Sequence, residues 1–331
     1  MARILVTDGI EKKASESLKQ KGFEVVEKFY ELEDLKEAVK EFDAIVVRSA
    51  TKVRQDVLDK ALETKKLKAI IRGGVGIDNI DAKYAESNGI KVRNTPAASS
   101  ASVAELTIAH MFSVARHVHI SNHTMRLGQW NKKKYKGIEL NGKTLGLIGF
   151  GRIAREVALR AKALGMNVVY TDALGKFEDT DFRYVSLDEI LKESDFVSLH
   201  IPGAADKKPA IGKDEIAMMK DGAFIINAAR GGVVCEKSLL EALDNGKLAG
   251  AGLDVFEEEP TKNEKLYMHE KVSLTPHIGA STKEAQERIG DEIVEIVDEI
   301  FAWDKWSKVT VENNCHFFLH KKRVFVKKIE V

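Results

Sequence analysis

The stretch GFGRIAREVALRAKALGMNVVYTD, from Gly149 to Asp172, decides the fold. Three small residues, Gly149, Gly151 and Ala154, fall at the spacing G-x-G-x-x-A. The first permits a tight turn, the second lets a pyrophosphate approach the backbone, and the third lets helix and strand pack closely. TLGLI before it reads as a buried strand, and IAREVALRAKALG after it reads as an amphipathic helix. The first turn of such a helix presents free N–H groups and a positive dipole end to phosphates. Asp172 closes the next strand, where a carboxylate binds ribose hydroxyls and repels a 2′-phosphate. The expectation is a dinucleotide site that takes NAD in preference to NADP.

Outward from this stretch the chain alternates short apolar runs with amphipathic segments. RILVTD, FEVVEKF, DAIVVRS, LKAIIRGG and GIKVRNTP form one series. KTLGLIGFG, MNVVYTD, SDFVSLHIP, GAFIINAAR, LAGAGLDVF and VSLTPHIG form a second. A helical stretch, SASVAELTIAHMFSVARHVHISNHTMRLGQW, separates them. Apolar strands alternating with helices predict parallel sheets covered on both faces. The predicted class is α/β, with two doubly wound parallel-sheet domains. Residues 98–284 form a Rossmann NAD domain. Residues 1–97, with 285–331 returning through a last helix that starts at STKEAQERIG, form a discontinuous flavodoxin-like substrate domain.

The 331 residues are too many for one ordinary core and agree with two domains. Apolar content of 44%, charged content of 31% and a net charge of +1 give no broad footprint for nucleic acid or membrane. No apolar run reaches about 18 residues, and MARILVTDGI lacks a signal-peptide pattern. Two cysteines, Cys235 and Cys315, exclude a disulfide framework and point to a reducing cytoplasm. From Trp303 the tail mixes aromatics with Lys and Arg and shows no helical period, so an edge strand or a disordered end is expected.

Three polar residues sit at C-terminal strand ends in the second series: Arg230 after FIINAA, Glu259 after GLDVFEE and His277 after VSLTP. Such ends converge on the ligand crevice of a doubly wound sheet. A planar guanidinium at Arg230 suits a carboxylate and a neighbouring carbonyl oxygen. His277 can take the proton of a hydroxyl as hydride leaves its carbon, and Glu259 can hold the imidazole oriented.

NAARGGVV, AGLDVFEEEP and TPHIGAST resemble the signature blocks of the D-isomer-specific 2-hydroxyacid dehydrogenases. The resemblance covers about residues 1–302 and is strengthened by VVRSATKV, RGGVGIDNID and QWNKKKYKGIELNGKTLGLIGFGRIAREVA. It implies Arg230 as substrate anchor, His277 as acid/base and Glu259 as its partner. It also implies that Arg152 and Ile153 meet the pyrophosphate through backbone and that Asp172 binds ribose. His200 and Pro202 would flank the adenine. Ala228, Ala229 and Asp254 would position the nicotinamide, with Gly279 and Ala280 beside it. Val75 and Val103 would reach the cofactor from the other domain.

The substrate is expected between the domains. The backbone N–H groups of Gly73, Gly74, Val75 and Gly76 form a candidate carboxylate nest. Arg48, Ser49, Lys52 and Arg72 are candidate phosphate ligands. Within the family, the resemblance implies NAD-dependent oxidation of 3-phospho-D-glycerate to 3-phosphooxypyruvate, the first step of serine synthesis. The residues after the last helix are read as too few for an added regulatory domain. The alternatives are a glyoxylate/hydroxypyruvate reductase or D-lactate dehydrogenase, and, in another class, a non-catalytic NAD-sensing protein. A homodimer is expected, since the family pairs its cofactor domains, with Lys132–Lys134 near the partner. No metal is expected. Cys235 stands where the family usually carries Asp.

Overall fold

The structure, a computed structural model, describes the backbone of residues 1–204, 208–313, 316–320 and 323–327, and side chains as far as Phe301. The chain divides into two compact units, Met1–Ala98 with Gln286–Val331, and Ser99–Ala285.

The first unit holds β1 (Arg3–Val6), β2 (Glu24–Glu27), β3 (Ala44–Val47), β4 (Ala69–Arg72) and β5 (Lys91–Asn94). They pair in parallel in the order β2-β1-β3-β4-β5, the flavodoxin-like order. Between them run α1 (Lys12–Gln20), α2 (Leu32–Ala38), α3 (Gln55–Thr64) and α4 (Ala82–Ser87). Alternate strand residues feed two cores, because side chains of a strand point to opposite faces. Leu5, Ile45, Val47 and Ile70 pack with Val57 and Leu58 of α3. Ile4, Val6, Val46 and Ile71 pack with Leu18 of α1 and with Ile289, Ile293, Val297 and Phe301. These last four, spaced by four, form one stripe on the terminal helix, Lys283–Asn313.

That helix runs past Trp303, where the sequence showed no helical period. The expected edge strand is also corrected. His316–His320 and Arg323–Lys327 pair antiparallel with each other and join neither large sheet. Pairing of adjacent segments closes a shorter loop than pairing to a distant sheet edge, at lower entropic cost.

The second unit holds β6 (Thr144–Ile148), β7 (Asn167–Thr171), β8 (Arg183–Tyr184), β9 (Phe196–Leu199), β10 (Ala223–Asn227), β11 (Leu248–Leu253) and β12 (Val272–Leu274). Its parallel order is β12-β11-β10-β9-β6-β7-β8. The chain leaves β6 toward β7 and β8, then crosses back to β9 on the other side of β6. This reversal is the switch point at which such sheets bind ligands, beyond the strand C-termini. The two-residue β8 has no apolar run and was not expected.

The helices of this unit are α5 (Ser100–Ala115), α6 (Val118–Arg126), α7 (Arg152–Ala163), α8 (Leu187–Glu193), α9 (Lys213–Met218), α10 (Glu236–Asp244) and α11 (Glu264–Tyr267). On one sheet face Leu145, Leu147, Tyr170, Phe196 and Phe224 pack against Met111 of α5 and Ala154, Val157 and Ala158 of α7. On the other, Ile148, Val197, Ile225 and Leu253 pack against Ile190, Ile216 and Leu239 of α8, α9 and α10.

The helical stretch expected after residue 100 is broken. His117 is left-handed at φ 55°, and a new helix begins at Val118. The cause lies farther along the chain. Ile138 N–H donates to the Ala115 carbonyl, taking the acceptor that a continuing helix would use.

Candidate active site

The loop between β6 and α7 is built for close approach. Gly149 sits at φ 85°, and a Cβ there would lie 2.6 Å from the His200 carbonyl oxygen. Both conditions exclude a side chain. Gly151 is the N-cap of α7 and offers no side-chain cap, and a Cβ on it would meet nothing within 4 Å. The first helical bond runs from Arg155 N–H to the Gly151 carbonyl, so the N–H groups of Arg152, Ile153 and Ala154 precede the ladder. Asp172 follows β7. Its Oδ2 accepts from Phe150 N–H at 2.7 Å and its Oδ1 from Leu174 N–H at 2.9 Å. The carboxylate is thereby tied to the glycine turn. A bare, donor-rich helix start beside an anchored carboxylate fits the pyrophosphate and ribose of a dinucleotide.

At the end of β9, His200 Nε2 lies 3.0 Å from Ser198 Oγ, and burial lowers its pKa to about 4. Pro202 is exposed just beyond it.

Arg230 follows β10 by three residues. Buried Asn227 shapes this turn: its Oδ1 accepts from Ala229 N–H at 3.1 Å, and its Nδ2 donates to the Arg230 carbonyl at 2.8 Å. Arg230 Nη1 donates to the Ala229 carbonyl at 2.6 Å. The next residue, Gly231, runs against the segment after β11. A Cβ on Gly231 would stand 1.7 Å from the Phe256 carbonyl oxygen. This approach brings the Arg230 turn beside the loop that carries Glu259.

That loop has a second brace. Glu236 N–H donates to Glu257 Oε1 at 2.9 Å, and Glu257 N–H donates to Glu236 Oε1 at 2.8 Å. Asn263 Nδ2 donates to Glu236 Oε2 at 2.8 Å. Cys235, the N-cap of α10, makes no capping bond; its Sγ accepts from Ser238 Oγ at 3.3 Å.

Glu259 Oε1 accepts from Phe256 N–H at 3.2 Å, and its Oε2 lies 2.7 Å from His277 Nδ1. Burial pushes the Glu259 carboxyl up. The His277 hydrogen bond and charge, the Phe256 N–H and the Arg230 charge outweigh burial and hold it below the usual carboxylate range. An ionised carboxylate can only accept, so His277 Nδ1 carries a hydrogen. Nε2 is then the nitrogen that gives or takes the second proton.

His277 is itself left-handed, at φ 53°. Asp254, 1% exposed, holds the segment around it. Its Oδ1 accepts from the Thr275 hydroxyl at 2.6 Å and from Ile278 N–H at 2.8 Å, and its Oδ2 accepts from Gly279 N–H at 2.8 Å. The expectation for Asp254 was contact with nicotinamide; in the structure it also staples this loop. Ala280 follows directly, at the end of the segment. Val103 is corrected. It lies on α5, in the same unit as Gly279, and a Cβ on Gly279 would come within 3.2 Å of its Cγ2. The expected bounds 98–284 already place Val103 in this unit, and only Val75 of the pair lies in the other.

The first unit carries the other predicted residues. Arg48 follows β3 and Arg72 ends β4; Ser49 and Lys52 are exposed nearby in sequence. Asp8 holds the Arg48–Thr51 turn, accepting from Arg48 N–H at 2.7 Å, Thr51 N–H at 3.0 Å and the Thr51 hydroxyl at 2.6 Å. Asn79 Nδ2 closes it by donating to the carbonyls of Arg48 and Thr51. Neither Asp8 nor Asn79 was singled out from sequence.

The four-residue nest is narrowed. Gly73 N–H donates to the Val47 carbonyl and Gly74 N–H to the Arg72 carbonyl, both at 2.9 Å. The β3–β4 ladder and a tight turn consume these two donors. The N–H groups of Val75 and Gly76 stay outside those bonds, and Asn94 Nδ2 donates to the Val75 carbonyl at 2.5 Å. Gly74, at φ 144°, has the Arg72 guanidinium 1.6 Å from where a Cβ would stand. Among the described residues no His, Cys, Asp and Glu group could hold a metal ion.

Buried His110 gives the unit a pH dependence. Burial lowers its pKa from 6.5 to about 4. Between those values the unfolded chain binds a proton that the folded chain does not, so stability is complete above 6.5 and falls as the pH drops toward 4. Urea unfolding should show about 2 kcal/mol less stability at pH 5 than at pH 7.5 from this group. The difference should shrink in His110→Gln.

The family model for the D-isomer specific 2-hydroxyacid dehydrogenase, NAD binding domain, matches residues 108–279. A hydroxypyruvate reductase of Thermotoga maritima is 48% identical over 303 residues, covering 90% of this chain and 97% of that protein. A D-3-phosphoglycerate dehydrogenase of Methanocaldococcus jannaschii is 45% identical over 304 residues, covering 91% of this chain and 57% of that protein. The chain thus spans nearly all of one relative and little more than half of the other. A crystal structure of D-lactate dehydrogenase from Aquifex aeolicus, complexed with NAD and lactic acid, superposes with a TM-score of 0.79 at 34% identity, over 91% of this chain and 96% of that one. With its glycine turn, anchored Asp172 and two parallel sheets, the chain belongs to the D-isomer specific 2-hydroxyacid dehydrogenases, oxidoreductases that use NAD.

Proposed function

We propose that the protein interconverts 3-phospho-D-glycerate and 3-phosphooxypyruvate with NAD, with Arg230, Glu259 and His277 as the catalytic group. The observation that carries the acid–base part is the 2.7 Å contact between His277 Nδ1 and Glu259 Oε2. It sets the tautomer that leaves Nε2 for the substrate. In oxidation Nε2 takes the hydroxyl proton, and in reduction it returns one to the carbonyl oxygen. Arg230 pairs with the substrate carboxylate and the adjacent oxygen, which orients the reacting carbon. NAD, when bound, would supply the hydride acceptor for that carbon, and NADH the donor. The loop from Gly149 to Ile153 would hold the pyrophosphate and Asp172 the ribose. His200 and Pro202 would flank the adenine, and Ala228, Ala229, Asp254, Gly279 and Ala280 would position the nicotinamide, with Val75 and Val103 proposed to contact the cofactor as well.

Recognition of a phosphorylated acid is assigned to Arg48, Ser49, Lys52 and Arg72, and of its carboxylate to the Val75 and Gly76 N–H groups. Three cations close in sequence to two adjacent strand ends support a dianion. A second reading, hydroxypyruvate reduction, is favoured by the Thermotoga relative, 97% of whose length this chain covers. NADH oxidation with 3-phosphooxypyruvate and with hydroxypyruvate, for wild type and Arg72→Ala, separates them. The first reading expects a large preference for the phosphorylated acid that collapses in the variant, losing about 1–3 kcal/mol of binding as a charged hydrogen bond is removed. Equal rates, or a preference for hydroxypyruvate, move the protein to the second.

The protein is also proposed to be a cytoplasmic homodimer. Val118, Met125, Leu127 and Trp130 are exposed on and just after α6, an apolar surface suited to a second copy, with Lys132–Lys134 following. Two cysteines in 331 residues fit a reducing compartment. No helix among the described residues is long and apolar enough to cross a membrane.

A further inference from the structure

We propose that His110 is a positioning residue for the reaction, holding the His277 loop in its reactive conformation through Thr275 and Asp254. The inference rests on the reading of His277 as the acid–base group.

His110 lies on α5 and is 2% exposed. Its Nε2 is 2.9 Å from Thr275 Oγ1, and its Nδ1 is 3.0 Å from Ser273 Oγ. The imidazole therefore reaches the end of β12 through Thr275, while the Ser273 hydroxyl donates to Ser113 Oγ at 2.9 Å. The direction of the first bond follows from chemistry. The Thr275 hydroxyl hydrogen goes to Asp254 Oδ1, since an ionised carboxylate only accepts. The Thr275 oxygen must then accept, and His110 Nε2–H is its donor. Burial keeps the ring neutral, with a pKa of about 4, so Nε2–H is its single donor over the working range.

Asp254 carries the constraint onward. Through Thr275, Ile278 and Gly279 it is bonded on both sides of His277. The left-handed φ of 53° at His277 is a conformation that a residue with a Cβ holds only when its surroundings impose it. The three bonds to Asp254 impose it, and the imidazole fixes which way the Thr275 hydroxyl points. A Cβ on Gly252, in β11, would fall 2.6 Å from His110 Cβ, so the glycine lets α5 approach the strand closely here. An aliphatic residue at 110 would leave the Thr275 oxygen without its donor.

The test compares His110→Leu, His110→Gln, Thr275→Val and Thr275→Ser with wild type and His277→Asn. The readouts are kcat and KM for 2-oxo acid reduction and amide hydrogen exchange at Ile278 and Gly279. His110→Leu and Thr275→Val should each lower kcat by about tenfold with KM nearly unchanged, as expected for a misplaced group. Exchange at both amides should quicken, and the double variant should be no worse than the single ones. His110→Gln, which restores an Nε–H donor, and Thr275→Ser should recover most of kcat. A folded Thr275→Val with wild-type kcat and unchanged exchange overturns the proposal, as does His110→Gln no better than His110→Leu. If His110→Leu does not fold, the Thr275 pair decides. Wild-type kcat in His277→Asn would instead remove the acid–base reading itself, whatever the other variants do.

Discussion

His277→Asn is expected to lower kcat for 2-oxo acid reduction by about a hundred- to ten-thousand-fold, the range for loss of a positioned general acid. NADH affinity should stay near wild type, because the residues around the dinucleotide turn, Gly149 to Ile153 and Asp172, are untouched. The size of the loss follows from what the geometry invests in this one ring. Glu259 orients it at 2.7 Å, Asp254 holds the backbone on both sides, and the residue itself is left-handed. Asn keeps a polar side chain and tolerates a left-handed backbone. The loss therefore reports the missing proton donor and not a collapsed loop. Stopped-flow NADH binding beside steady-state rates checks the prediction; equal falls in affinity and rate would count against it.

Gly231→Ala should have the largest effect of the glycine-to-alanine changes in the second unit. The new Cβ would lie 1.7 Å from the Phe256 carbonyl oxygen and 2.4 Å from its carbon. Both are backbone atoms, and neither can swing aside. One segment must retreat by more than about 1 Å, and a displacement of that size at a reacting group costs about a hundredfold in rate. The retreat separates the Arg230 turn from the loop that carries Glu259. Overpacking of this kind also costs about 1–3 kcal/mol of stability. Gly151→Ala is the contrast, because a Cβ there meets nothing within 4 Å. It should leave urea stability unchanged and weaken NADH binding by crowding the pyrophosphate approach. Thermal unfolding and kcat/KM for the two variants test the pair of expectations together.

Much of this was legible from residue patterns because the causes are local. The central strands of both sheets are buried on two faces, so they appear as apolar runs such as AIVV and AFII. Gly149 and Ala154 were readable because a turn and a helix–strand contact admit only small residues. The three polar strand ends were readable because the topology converges there. What escaped depends on partners distant in the chain. The break at His117 is caused by Ile138 capturing the Ala115 carbonyl. The brace between Glu236 and Glu257, and the turn held by Asp8 and Asn79, pair polar residues that carry no periodic signal. The nest at Gly73 and Gly74 was not legible, since the Gly73 N–H goes to a neighbouring strand and the Gly74 N–H to a tight turn.

The central claim is that one proton passes through His277 while hydride passes to or from NAD. Its most direct test is the pH dependence of kcat/KM measured in both directions, for wild type and Glu259→Gln. Reduction needs the imidazolium and oxidation needs the neutral ring. The account predicts mirror-image profiles, reduction falling and oxidation rising over the same pH interval, with both rates lowered in Glu259→Gln as the ring loses the carboxylate that orients it. Profiles of the same sign in the two directions, or rates that Glu259→Gln leaves unchanged, would contradict it.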